Sequence, residues 1–325
     1  MQLDFLNVLF TVIFLVVLVL PGYILAKADI FKEYADSVLS ALVLFVAQPM
    51  LIITSFQKQP YSKEIARNML ICAGLTALVH IVMIAFVFLV IRGNDAKRNI
   101  LRGASVFANC GYMGIPFLQL LFGNSNPEVL IYAAVIISIF NIFDWSFGIF
   151  MVSGNKKTIN IFNILLNPTI ISIIIGFILF ITVRTPLVDI AEEGSTLDLV
   201  LTKFMNSINY LSEMVTPLAM MVIGVKLSKM KLKDIVLNKV AYIASFNKLI
   251  IMSLVSILIV AFLPISEVLK YTIFFTMSMP CATSNVLFAV RFGGDAETAS
   301  VSILLSTLLS IVTIPLMFLV FQALV

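Results

Sequence analysis

Two apolar segments, each long enough to cross a bilayer, are interrupted in the middle by residues that disfavour a helix. The first spans about residues 100–122 and has in its middle Asn109, Cys110, Gly111, Tyr112, Gly114 and Pro116. The second, residues 276–294, contains Pro280, Cys281, Ala282, Thr283, Ser284 and Asn285. Because lipid cannot satisfy the backbone N–H and C=O groups that a break frees, such segments must be buried in protein or line a polar cavity.

Glycine and proline are the residues expected to cause these breaks. Gly111, Gly114 and Pro116 predict an interruption in the first segment, and Pro280 predicts one in the second. Discontinuous helices at matching places in two halves of a chain indicate the binding site of a secondary transporter.

The composition excludes a soluble fold. Hydrophobic residues make up 61% of the 325 residues, and charged residues make up 12%, about half the usual share. The three cysteines lie in apolar segments, which argues against a disulfide framework. The N-terminus has no basic region and carries Asp4, so the first apolar run is expected to be the first span rather than a cleaved signal peptide. The basic residues lie in short loops and do not indicate nucleic-acid binding.

Ten apolar runs have the roughly 20 residues that a transmembrane helix needs. The sequence therefore predicts an all-α integral membrane protein with ten spans. Their limits are 5–26, 36–57, 69–91, 99–122, 129–152, 163–183, 204–227, 240–263, 269–292 and 298–323.

The loops differ in positive charge. Fourteen lysines and arginines follow the odd-numbered spans, Lys156, Lys157, Lys231 and Lys233 among them, against six after the even-numbered spans. Positive loops stay in the cytoplasm, so both termini are predicted to lie on the non-cytoplasmic side of the cytoplasmic membrane.

Five spans followed by five must form inverted halves, because five is odd. Pro49 and Pro217 lie 168 positions apart in spans 2 and 7, and Pro116 and Pro280 lie 164 apart in spans 4 and 9. The sequence therefore predicts two inverted five-helix repeats, residues 1–152 and 153–325.

The interrupted spans would leave helix N-termini inside the membrane, where free N–H donors and partial positive charge suit an anion. Asn109 and Asn285 would add amides, and Thr283 and Ser284 would add hydroxyls. The alternative is that these side chains only satisfy the broken backbone.

Ionisable residues inside spans are costly and suggest function. Asp144 in span 5, with Asn141 one turn before it, and Glu213 in span 7 are candidates for sodium or proton coupling, or for structural roles. Lys248 is expected to extend from span 8 to the cytoplasmic surface. His80 is expected to pack between helices.

No metal-ligand spacing, nucleotide-binding loop or nucleophile motif occurs in the sequence. The sequence therefore predicts no enzyme activity, no resident metal and no cofactor.

The segment from Asn109 to Pro116, NCGYMGIP, resembles the N-x-x-x-M-G-I-P element of the auxin efflux carrier family. Met279-Pro280 and the residues to Pro315 resemble its C-terminal pattern, and Asn141-x-x-x-Trp145 falls where plant members have Gln-x-x-x-Trp. The short loop at residues 153–158 is similar to that of bacterial members.

That resemblance implies ten spans in the manner of bile-acid symporters and sodium/proton antiporters, with spans 4 and 9 crossing. Spans 1, 2, 6 and 7 would form a scaffold, often dimeric, and spans 3–5 and 8–10 a core that moves like an elevator. Bacterial relatives are associated with malate, malonate or other organic anions, and plant ones with auxin. The implied substrate site comprises Asn109, Asn141 and residues 280–285, to which we add Cys110, Gly111 and Tyr112.

Three functions follow from these residues. The first is a secondary carrier of a small organic anion, a carboxylate. The second is a cation transporter that uses Asp144 or Glu213. The third is a ligand sensor, which is disfavoured because the chain ends at Val325 directly after span 10.

Overall fold

The computed structural model of the chain describes residues 3–122, 125–155, 158–159, 161–230, 235 and 237–325, without the side chains of residues 161 and 163. Lys156, Lys157, Lys231 and Lys233, on which the predicted orientation partly depends, lie outside the described residues. The described part is helical and contains no β-strand. Eight of its helical segments are long and apolar enough to cross a membrane.

We number the main helices in chain order. They are α1 (Phe5–Lys27), α2 (Ala35–Phe56), α3 (Lys63–Val90), α4 (Ala96–Val106), α5 (Cys110–Phe122), α6 (Glu128–Ser153), α7 (Pro168–Thr182), α8 (Thr196–Ser228), α9 (Lys239–Val260), α10 (Glu267–Met277), α11 (Ser284–Phe292) and α12 (Ala296–Gln322). A short helix, Ile161–Leu165, precedes α7, and a 3₁₀ turn, Leu187–Asp189, follows it.

Two helices begin earlier than the hydropathy predicts. Helix α3 begins at Lys63, six residues before predicted span 3, and α8 begins at Thr196, eight residues before predicted span 7. Ser62 and Ser195 cap these helices through their side-chain oxygens. A capping hydroxyl satisfies N–H groups of the first turn, so polar residues extend the helix beyond the apolar run.

Both interrupted segments are broken. Helices α4 and α5 are separated by residues 107–109, and α10 and α11 by residues 278–283. Pro280 lies in the second break as predicted. The first break lies before Gly111, Gly114 and Pro116, and the prediction that these three residues form it is wrong. Gly111 and Gly114 belong to a π-helical turn, Cys110–Gly114, and Pro116 follows inside α5.

The same arrangement of π-turn and proline occurs in α2, where the π-turn Val43–Ala47 is followed by Pro49. A proline ring clashes with the carbonyl four residues earlier in a regular α-helix. The wider π-turn displaces that carbonyl and lets the helix continue through the proline.

The helices pack in two groups. Helix α1 packs along α8, and α2 packs along α7 and α8, while contacts of α1 with α12 and of α2 with α6 join the two groups. Helices α3–α6 and α9–α12 pack among themselves, with the two breaks at their centre. The α1–α8 contact is very close, because a Cβ on Gly224 would lie 2.2 Å from the Val19 carbonyl oxygen and one on Gly22 would lie 2.3 Å from that of Met221.

Candidate functional site: the crossing of two interrupted helices

The two breaks lie directly against each other and pair through their backbones. The Asn109 N–H donates to the Pro280 carbonyl at 2.7 Å, and the Ala282 N–H donates to the Phe107 carbonyl at 2.8 Å. Ala108 and Cys281 thus form an isolated antiparallel bridge. Each break supplies the hydrogen bonds that the other has lost inside the membrane.

Helix α12 supports this bridge from one side. The Cys281 N–H donates to the Ser306 hydroxyl at 3.0 Å, and both residues are fully buried. Without Ser306 the Cys281 N–H would have no acceptor in an environment that water does not reach.

The start of α5 has hydrogen-bond donors without acceptors among the described residues. Among the described residues, the backbone N–H groups of Gly111 and Tyr112 find no hydrogen-bond partner. The Asn109 side chain is buried, and its Nδ2 also lacks a partner there. A helix N-terminus with unused N–H groups is the classical geometry for an anion.

Gln48 of α2 faces this helix start. Its Nε2 lies 3.3 Å from the position that a Cβ of Gly111 would occupy, and its Oε1 is buried without a partner among the described residues. The glycine therefore lets a side-chain amide from the other helix group approach the backbone of α5.

The start of α11 is different, because a carboxyl group lies beside it. Asp144 of α6 is buried, and its carboxyl group neighbours the Ser284 hydroxyl, the first residue of α11. Neither Asp144 Oδ1 nor Ser284 Oγ has a hydrogen-bond partner with good geometry among the described residues. Asp144 lies in a π-helical turn, Asp144–Gly148. A carboxyl group at a helix N-terminus complements its partial positive charge.

The other predicted residues make contacts within the protein. The Cys110 thiol lies 3.8 Å from the Thr276 carbonyl, and the Tyr112 hydroxyl donates to the Ser40 carbonyl at 3.5 Å. Asn285 Nδ2 donates to the Ala282 carbonyl, while its Oδ1 has no partner among the described residues. Thr283 is half-buried just before α11.

Both the nitrogen and the oxygen of the Asn141 side-chain amide make hydrogen bonds within the protein. Its Nδ2 donates to the Ile137 carbonyl at 2.8 Å, and its Oδ1 accepts from Asn167 Nδ2 at 3.3 Å. Asn167 in turn caps α7 through the Thr169 N–H. These contacts tie α6 to the start of α7 and use one donor and one acceptor of the Asn141 amide.

Lys248 does not extend to the cytoplasmic surface, and that prediction is wrong. The side chain is fully buried, and its Nζ donates to the Met277 carbonyl, the last residue of α10, at 2.6 Å. It also lies 3.2 Å from Met252 Sδ. The C-terminal end of a helix carries partial negative charge, which holds the amine inside the protein.

Glu213 lies away from the crossing. It is exposed and lines a cavity of about 410 Å³ between the two helix groups, together with Leu51, Lys58, Gln119, Leu130, Asn209 and Ser212. Partial burial lowers the pKa of Lys58, and the nearby Glu213 carboxylate opposes that shift. The cavity lies along the same α2–α5 contact as Gln48 and Gly111.

His80 packs as expected. Its ring stacks on Phe143 with centroids 5.3 Å apart, and Nδ1 lies 2.8 Å from the Thr76 carbonyl. In the described part of the chain, no group of three or more His, Cys, Asp or Glu side chains could hold a metal ion.

Comparison with known proteins decides the family. The profile of the membrane transport protein family, the auxin efflux carriers, matches residues 7–164 and 158–318. The chain belongs to this family. As a member it is a multi-pass membrane transporter, in agreement with the eight apolar helices.

A curated relative supports this assignment. The "Uncharacterized transporter MJ1031" of Methanocaldococcus jannaschii is 24% identical over 318 residues, covering 94% of this transporter and 96% of the relative.

Two residues at the crossing, Gln48 and Ser306, are absent from the predicted site, and a third, Lys248, lies elsewhere than predicted. Gln48 could have been found as an amide inside an apolar span, where polar side chains are rare and often functional. Lys248 was noticed but misplaced, because its partner Met277 lies 29 positions away. Nothing in the sequence distinguishes Ser306 from the other serines in the spans, most of which donate to a carbonyl of their own helix.

Proposed function

We propose that the chain is a secondary carrier of a small organic anion, a carboxylate, bound where the interrupted helices cross. The observation that carries this proposal is the set of unused donors at the start of α5, the N–H groups of Gly111 and Tyr112 and the amide of Asn109. Unused donors at a helix N-terminus in a low-dielectric site favour a bound anion.

The proposed site lies between the two helix groups. The carboxylate accepts from the α5 N–H groups and from Asn109, with Gln48 contributing its amide from α2. Thr283, Ser284 and Asn285 contact the remainder of the substrate from the opposite break. Asn141 supports α7 instead, because its amide is already bonded.

We propose that α4–α5 and α10–α11 each cross the membrane once, which gives ten crossings with the eight long helices. Residues 1–152 and 153–325 then form inverted repeats. The paired breaks at matching places in the two halves support this arrangement.

Alternating access in this proposal comes from an elevator-like movement. Helices α1, α2, α7 and α8 form a scaffold, and α3–α6 with α9–α12 form the mobile core. The tight glycine contacts between α1 and α8 support a rigid scaffold, which also provides the surface for a homodimer. The cavity at Lys58 and Glu213 lies between scaffold and core and supplies an entry route.

We propose that this transporter spans the cytoplasmic membrane with both termini on the non-cytoplasmic side. The excess of lysine and arginine in the loops after odd-numbered spans supports this orientation. Labelling of single cysteines placed at Asp4 and Gln322 by a membrane-impermeant reagent in intact cells tests it.

Transport itself is tested in proteoliposomes with a panel of labelled malonate, L-malate and indole-3-acetate. We expect saturable uptake of at least one acid and none in liposomes without protein. Uptake of none of these acids by folded, correctly inserted protein would contradict the proposal.

A second candidate function is coupling of transport to protons at Asp144. The buried carboxyl group has an oxygen without a partner among the described residues, so the charged form is poorly stabilised there. Such a group can take up and release a proton as solvent reaches it during transport.

A further inference from the structure

Lys248 places an amine in the middle of the core. It lies in a π-helical turn of α9, Asn247–Ile251, and its side chain has no exposure. Nζ donates to the Met277 carbonyl oxygen at 2.6 Å, and the partial negative charge of this helix end favours the protonated amine. We therefore treat the amine as an ammonium group.

Within the part of the chain that the structure describes, the ammonium has no carboxylate partner. The three ion pairs among the described residues use Asp29, Asp95 and Asp36, all outside the core. The Asp144 carboxyl group at the crossing neighbours Ser284 and belongs to none of these ion pairs. The partial negative charge at the end of α10 offsets only part of a full positive charge. A buried charge without a counter-charge is costly, so this position attracts an anion.

The charge also lies close to the unused donors. Nζ donates to the Met277 carbonyl, and the Cys110 thiol at the start of α5 lies 3.8 Å from the carbonyl of the preceding residue, Thr276. Cys110 directly precedes Gly111, whose N–H is free among the described residues.

We infer that Lys248 is the fixed positive charge that makes the crossing select the anionic form of a substrate over its neutral form. It acts through the field in the core rather than by contact, since its own hydrogen bond is to Met277. This inference rests on the proposed carboxylate site. A lysine that only caps α10 would stabilise the fold and leave selectivity unchanged.

Two pairs of variants separate charge from structure. Lys248→Met removes the charge, and Lys248→Arg keeps it. Met252→Glu places a carboxylate beside the amine while the bond to Met277 remains, and Met252→Gln has the same shape without charge. Lys270→Met is the matched control, because Lys270 also donates to a helix-end carbonyl, that of Ala261, at the outer part of the core.

The measurement is the affinity of purified, full-length protein for malonate and indole-3-acetate and for the neutral amides malonamide and indole-3-acetamide. In Lys248→Met and Met252→Glu we expect acid affinity to fall at least about tenfold while amide affinity stays the same. Lys248→Arg, Met252→Gln and Lys270→Met should keep the wild-type ratio.

Equal loss for acid and amide, or no loss, in a folded Met252→Glu variant would overturn the inference, even if Lys248→Met does not fold. Failure of the wild-type protein to bind any of the acids would instead overturn the proposed carboxylate site, and the inference with it.

Discussion

Single side chains at the crossing complement opposite helix ends. The Asp144 carboxyl group lies beside the N-terminus of α11, and the Lys248 amine lies at the C-terminus of α10. Each side chain therefore opposes the partial charge of the helix end that the break exposes. Of the two helix N-termini at the breaks, that of α5 has no charged partner among the described residues, which is why we place the substrate there.

Asp144→Asn tests the proton-coupling candidate. We expect wild-type uptake of the best acid to be stimulated by an inward proton gradient, and the variant to lose that stimulation while its affinity for the acid changes less than about threefold. The reason is that an amide cannot carry a proton but fills the same space. Uptake in proteoliposomes with and without a pH gradient measures both properties.

Glu213→Gln is the control for this experiment, because Glu213 is an exposed carboxylate that lies in the cavity and not at the crossing. It should keep the stimulation by the gradient. Equal stimulation in wild type and Asp144→Asn would remove Asp144 from coupling.

Residue identity alone indicates part of the proposed site. Asn109 and Asn285 stand out because amides are rare in apolar spans, and each keeps an atom without a partner among the described residues. Asn141 stands out equally in the sequence, yet Asn167 of another helix occupies its amide. Which polar side chain is free depends on contacts between segments far apart in the chain.

At the scale of the element, the apolar runs located the eight long helices, and the glycine and proline content indicated the two interruptions. The first break nevertheless lies at residues 107–109, ahead of the glycines. Its position is set by backbone pairing with residues 280–282, more than 170 positions later, which no local pattern in the sequence records.

Ser306→Ala tests how far the break depends on its support from α12. The variant leaves the buried Cys281 N–H without an acceptor, so we expect the free energy of unfolding to fall by about 1–3 kcal/mol. Denaturation in mixed micelles of increasing SDS content measures this loss.

Ser310→Ala is the matched variant, since Ser310 is equally buried one turn later and donates only to Thr307 of its own helix. Ser310→Ala should lower the free energy of unfolding by less than Ser306→Ala does. An equal cost for both variants would show that the hydrogen bond to Cys281 adds nothing to stability.

Transport by the proposed elevator-like movement requires the core to move past the scaffold. Thr216 of α8 and Gln119 of α5 contact each other across that boundary, with Thr216 Oγ1 donating to Gln119 Oε1 at 2.8 Å. We expect oxidation of the Thr216→Cys/Gln119→Cys double variant to stop uptake, and reduction to restore it.

A second cysteine pair, Gln57→Cys/Leu187→Cys, joins two loop residues on the scaffold side that already share a hydrogen bond. Its oxidation should leave uptake unchanged. If the pair across the boundary also transports at the wild-type rate when fully cross-linked, the core does not move past the scaffold there.

A comparison of two asparagines tests whether the carboxylate binds at the crossing. Asn109 Nδ2 is free among the described residues, whereas the amide of Asn141 is bonded at both ends. Calorimetric titration of wild type, Asn109→Ala and Asn141→Ala with the transported acid should show binding weakened by about 1–3 kcal/mol in Asn109→Ala alone. An unchanged dissociation constant in a folded Asn109→Ala variant would contradict binding of the carboxylate at the crossing.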